Sequence, residues 1–94
     1  MFLKDYDYEF TVHAIDVIRE RKILESWIYD ALNKPDWNTV KEYGNLHYFK
    51  NIDENDGRVL HLVVNNNVYP KRIVTVYFDR KYKTIKPVKS EGQI

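Results

Sequence analysis

The sequence predicts an α+β domain in which two N-terminal helices pack on one face of a three- to four-stranded antiparallel sheet. Apolar residues recur at helical spacing up to Pro35, and from Trp37 onward the period shortens to two. The length of 94 residues suits one modest core. Residues 1–94 are therefore expected to form a single domain, with 88–94 as a flexible tail.

The first helix takes Thr11 as its N-cap and runs to about residue 22. It sets Ala14, Ile15 and Ile18 on the core stripe and turns Asp16 and Glu20 away. His13, Val17 and Arg21 follow an i, i+4, i+8 line along one margin, which puts the two polar heads about 12 Å apart on one flank. The second helix, Glu25–Asn33, buries Trp27, Ile28, Ala31 and Leu32, and Pro35 prevents its continuation. "LHYFKNI", "RVLHLVVNN" and "RIVTVYFDR" alternate as strands, with "YKTIK" as a shorter fourth. "DENDG" and "NNVYPK" supply the turn residues between them.

Alternation divides each strand into two sets. Tyr48, Ile52, Leu60, Leu62, Val64, Val74, Val76 and Phe78 form the face that receives the helices. His47, Phe49, His61, Thr75 and Tyr77, mixed with Val59, Val63 and Ile73, gather on the opposite face, which no remaining helix covers. Pairing Ile52 with Arg58 across "DENDG" sets Phe49 opposite His61 and His47 opposite Val63, so the two histidines become diagonal neighbours.

Composition excludes several chemistries. Without cysteine there is no thiolate nucleophile, disulfide or cysteine-ligated zinc. Gly44, Gly57 and Gly92 are the only glycines and make no phosphate loop, and Ser26 and Ser90 sit in no nucleophile elbow. The three histidines have no metal-ligand spacing, so neither metal nor cofactor is expected. No apolar run approaches the roughly 20 residues that span a bilayer, and the start "MFLKDYDYEF" is unlike a signal peptide. The expectation is a soluble, cytoplasmic chain with no membrane partner.

The formal net charge is +1, yet residues 71–89 hold seven basic residues against the single acid Asp79. Interleaved with Tyr77 and Tyr82, that end can meet phosphates and stack on bases. Its bland reading is a solvated strand edge whose lysines oppose aggregation. Histidine suits general acid–base work at neutral pH, and arginine a phosphate clamp, so the site candidates are His13 and His47 as base or acid. Arg21, Lys50, Arg58 and Arg80 are the phosphate-holding candidates, and Thr75 and Tyr77 lie with the histidines on the open face as further substrate contacts. Purely structural roles stand beside these: His13 bonded to nearby backbone or carboxylate, Arg21 paired with Asp16 or Glu25, and His61 packed on Phe49.

"HAIDVIRERKI" resembles the opening signature of the DUF4258 family, and "HYFKNI", "GRVLHLVVN" and "RIVTVYFDR" are similar to that family's strands in the same order. The likeness covers about residues 13–80 and singles out His13, Arg21, His47, Lys50, Arg58 and Arg80; Lys22 stands where the family usually has glycine. It further implies kinship with RelE-like and barnase-like ribonucleases and toxins, a helix pair on a four-stranded antiparallel sheet, and a cognate antitoxin that masks the basic surface. The expected function is a metal-independent endoribonuclease toxin acting on RNA phosphodiesters. The alternative is a noncatalytic protein- or nucleic-acid-binding module using the aromatic open face, with eight tyrosines and two tryptophans as anchors. Exposed strand edges also make a homodimer an expectation.

Overall fold

The computed structural model describes residues 8–41 and 44–82, so the expected tail lies outside the described residues. Chain order is β1 (Tyr8–Phe10), α1 (Val12–Arg21), α2 (Glu25–Asn33), β2 (Trp37–Val40), β3 (Leu46–Ile52), β4 (Arg58–Asn65) and β5 (Lys71–Phe78). The strands form one sheet in the order β1-β5-β4-β3-β2. All neighbours are antiparallel except β1, which runs parallel to β5.

The sheet is therefore five-stranded and mixed, where three to four antiparallel strands were expected. Three residues in β1 and four in β2 are too few to display a period of two, and β1 finds its partner at the far end of the sequence. In the expected fourth strand, Tyr82 instead ends a 3₁₀ turn, Arg80–Tyr82, and its remaining residues lie outside those described.

Helix α1 begins where its sequence says it should. The Thr11 hydroxyl accepts from the Ala14 N–H at 3.0 Å and donates to the Val74 carbonyl at 2.8 Å, so the cap also ties the helix to β5. Helix α2 has no side-chain cap at Leu24. Ala14, Ile18, Ile28 and Ala31 are buried against Ile52, Leu60, Leu62, Val64, Ile73 and Val76, with Trp27 and Phe78 packed at the edge of this core. Burying such side chains contributes about 1.5–3 kcal/mol each for the larger ones, which is what fastens two short helices to the sheet.

The β3–β4 register follows the expected pairing throughout, from Ile52 opposite Arg58 to His47 opposite Val63. The β4–β5 register slips: Val63 faces Thr75, but Val64 faces Ile73, leaving Val74 as a bulge. The extra residue inverts the alternation of β5 on the N-terminal side of the bulge. Ile73, assigned by strict alternation to the open face, is fully buried in the helix-side core, while Val74, assigned to the core, is half-buried beside Thr11.

The opposite face is not open along its whole width. The turn Arg80–Tyr82 folds back over it, and Tyr82 meets Trp37 and Phe49 edge-on while those two rings stack 4.7 Å apart. Phe49 and Val59 are buried beneath. A helix is not needed for this cover, because one 3₁₀ turn with an aromatic side chain suffices.

Candidate functional site

Strand β1 ends at Phe10 opposite Ile73, so further along β5 the neighbour on that side is α1. An open groove of about 900 Å³ lies there. His13, Glu20 and Arg21 enter it from α1, Asn55 and Arg58 from the β3–β4 hairpin, Thr75 and Tyr77 from β5, and Asp79 and Arg80 from the residues just after β5. The i, i+4, i+8 margin of α1 thus forms one wall.

His13 is exposed, and its Nε2 lies 3.2 Å from the Thr75 hydroxyl. This contact links neither backbone nor carboxylate, so the purely structural partner expected for His13 is not the one it has. Arg21, Arg58 and Arg80 are exposed, and none makes an ion pair among the described residues; the pairing of Arg21 with Asp16 or Glu25 is absent there too. Against these three cations the groove sets Glu20 and Asp79, so its balance is positive. Tyr77 keeps an exposed ring edge, and burial, helped by the charge on Asp79, pushes its phenol pKa up, which retains the proton on the hydroxyl.

Six of the eight sequence-derived candidates meet in this groove: His13, Arg21, Arg58, Thr75, Tyr77 and Arg80. His47 and Lys50 do not. Lys50 sits on β3 with its ammonium 3.9 Å from Asp36. His47 belongs instead to a chain of hydrogen bonds across the sheet face, with its Nδ1 2.7 Å from His61 Nε2 and His61 Nδ1 2.9 Å from Asp79 Oδ2. The other Asp79 oxygen accepts from the Lys81 N–H at 3.1 Å.

His61 and Asp79 are both buried. Burial lowers the His61 pKa below the ordinary histidine value, opposed by the bond to Asp79 and assisted by the charges of Lys41 and Lys81. As a carboxylate, Asp79 accepts, so His61 carries its proton on Nδ1 and presents Nε2 as acceptor to His47. The expected packing of His61 on Phe49 is present as well, with ring centroids 4.2 Å apart.

Asp79 is the residue that sequence reasoning passed over as a site member. Its signal was visible as the lone acid among the seven bases of residues 71–89. An acid retained at a strand end inside a basic stretch calls for a partner, and His61 on the adjacent strand is that partner. Among the described residues no cluster of three or more metal-ligating side chains occurs, and no helix is long and apolar enough to cross a membrane.

A family model for a domain of unknown function, DUF4258, matches residues 10–78. Neither the curated proteins nor the solved structures yielded a significant match.

Proposed function

We propose, from the premise that this chain belongs to the DUF4258 family, that the groove between α1 and β5 binds RNA and cleaves its phosphodiesters by metal-independent transesterification. The observation that carries the reading is the meeting of one exposed imidazole with three arginines, without ion pairs among the described residues, beside two hydroxyl groups in one groove. In this reading the His13 imidazole removes the proton of a ribose 2′-hydroxyl, and the 2′-oxygen forms its bond to phosphorus as the bond to the 5′-oxygen breaks. The Tyr77 phenol gives its proton to the departing 5′-oxygen and recovers one, through solvent, from the imidazolium. A 2′,3′-cyclic phosphate and a 5′-hydroxyl end result. Arg21, Arg58 and Arg80 hold the phosphate and offset the charge that develops on its oxygens.

RNA is the substrate partner of this reading, the cytoplasm its compartment, and a cognate antitoxin of acidic surface the protein that would mask the arginines. The noncatalytic reading through the aromatic face has less surface to work with, because Phe49 is buried and Trp37 is engaged by Tyr82. The test is incubation of the purified chain with single-stranded RNA in excess chelator, with end-group analysis of the products. Cyclic phosphate ends that disappear with His13→Ala support the reading. Intact RNA over a wide range of protein concentration overturns it, and RNA bound but uncut by wild type favours the binding module.

A further inference from the structure

Asp79 belongs to two places at once: it lines the groove, and it ends the chain that runs through His61 to His47. The single hydrogen bond between the two rings tolerates one added proton, whichever ring carries the charge, because one nitrogen of the facing pair still accepts. Two added protons would set N–H against N–H across 2.7 Å. The pair is therefore built to hold zero or one extra proton while remaining in place. His47 is half-buried rather than enclosed, and it is the member nearer to solvent.

The surroundings decide when the proton is held. From β5 the His61 ring faces Tyr77, at 4.7 Å between centroids, and from the end of β5 it faces Asp79. Lys41 after β2 and Lys81 in the turn act on it by charge and oppose protonation, while Asp79 favours it. Tyr82, from the same turn, packs on the neighbouring Phe49. On the groove side, Asp79 shares its lining with Arg58 and Arg80, and with His13, Glu20 and Arg21 of α1. An anion seated on the arginines adds negative charge near the carboxylate end of the chain and raises the proton affinity of the whole chain.

We propose that the Asp79–His61–His47 chain is the proton-holding arm of the groove, taking up a proton from solvent when a phosphodiester anion seats on Arg21, Arg58 and Arg80. This rests on the reading of the groove as a phosphate site and adds residues that touch no substrate. His47 and His61 act through Asp79, and their effect is to compensate the anion's charge at that carboxylate, which would otherwise repel it. Anion binding then strengthens as pH falls toward the range where histidines titrate.

The test uses decathymidylate, which carries phosphodiesters but no 2′-hydroxyl and so is not cleaved. Titration calorimetry near pH 6.5, in two buffers of different ionisation heat, counts the protons taken up on binding. The background is His13→Ala, so that the groove's own imidazole does not contribute. The expected uptake is roughly a third of a proton in this background, falling to near zero when His47→Ala or His61→Gln is added. The half-buried His47→Ala serves where His61→Gln perturbs folding, and circular dichroism verifies each fold. Uptake unchanged in both variants, with binding intact, overturns the proton arm and leaves the groove reading standing. Absence of binding by the wild-type chain overturns the groove reading itself, and the arm with it.

Discussion

Two histidine-bearing regions share β5 and treat charge in opposite ways. Along the groove, His13 is exposed with one hydroxyl partner, and three arginines stand in solvent without ion pairs among the described residues. Across the adjacent face, both ring nitrogens of His61 and both carboxylate oxygens of Asp79 have partners. The difference follows from water. Exposed guanidinium groups are solvated and need no partner, whereas a buried carboxylate left unpaired is expensive. The first region therefore keeps its valence for a ligand, and the second spends its own on fixing geometry. Asp79 is the one residue common to both.

The largest effects should separate the two regions cleanly. His13→Ala is expected to lower RNA cleavage by about 10²–10⁴-fold, the usual worth of a general base. Its urea midpoint should not move, because the side chain is exposed and makes a single contact. Asp79→Ala should do the reverse in its leading effect, costing about 3 kcal/mol of stability. That change strands a buried His61 and releases the Lys81 N–H that holds the turn. Denaturation with cleavage assays on both variants is decisive: a destabilised His13→Ala or an unperturbed Asp79→Ala would erase the contrast.

How far the sequence reaches also differs between the regions. The α1 margin was legible because helical spacing is rigid: His13 and Arg21 could be placed on one flank from i, i+8 alone, and both line the groove. The β3–β4 register was legible because a hairpin turn fixes it, and the contact between His47 and His61 follows from it. Strict alternation failed at Val74, where a bulge adds one residue and exchanges the faces of Ile73 and Val74. No local pattern in "KRIVTV" marks that bulge; its stabilising contact comes from the Thr11 hydroxyl at the other end of the chain. His47 was grouped with His13 because both are histidines suited to acid–base work, but chemistry does not specify distance. Lys50 was grouped with the arginines by charge and by the family likeness, neither of which fixes where its ammonium lies, and it found Asp36 instead.

A smaller effect concerns pH. The folded His61 pKa lies below the unfolded value because burial penalises its charge. Between the two values the unfolded chain binds more protons than the folded one, so stability rises with pH there. Full stability is present above about pH 6.5, the ordinary histidine value, and is lost as pH falls from there through the folded value. Urea denaturation from pH 5 to 8 should show this slope in the wild type and a flatter profile in His61→Gln. An identical profile in the variant would mean that the His61 ring binds its proton equally well in the folded and unfolded chain, and that the two regions differ less in charge than their geometry indicates.

The smallest expected effect lies at the end of α1 that delivers Arg21 to the groove. Lys22 closes the helix in the left-handed region, with φ 55 and ψ 45, and its N–H returns to the carbonyls of Arg19 and Ile18. A side chain there meets backbone crowding that glycine avoids, and the strain is tolerated because Ile23, buried next door, anchors the turn. Lys22→Gly should therefore raise stability by about 0.5–1 kcal/mol, the relief of strain being partly offset by the greater freedom of the unfolded chain. Cleavage should stay unchanged, since Lys22 is not part of the groove lining. A gain in stability with a loss of cleavage would show instead that this residue sets the reach of Arg21, and the strained cap would then belong with the groove rather than with the scaffold.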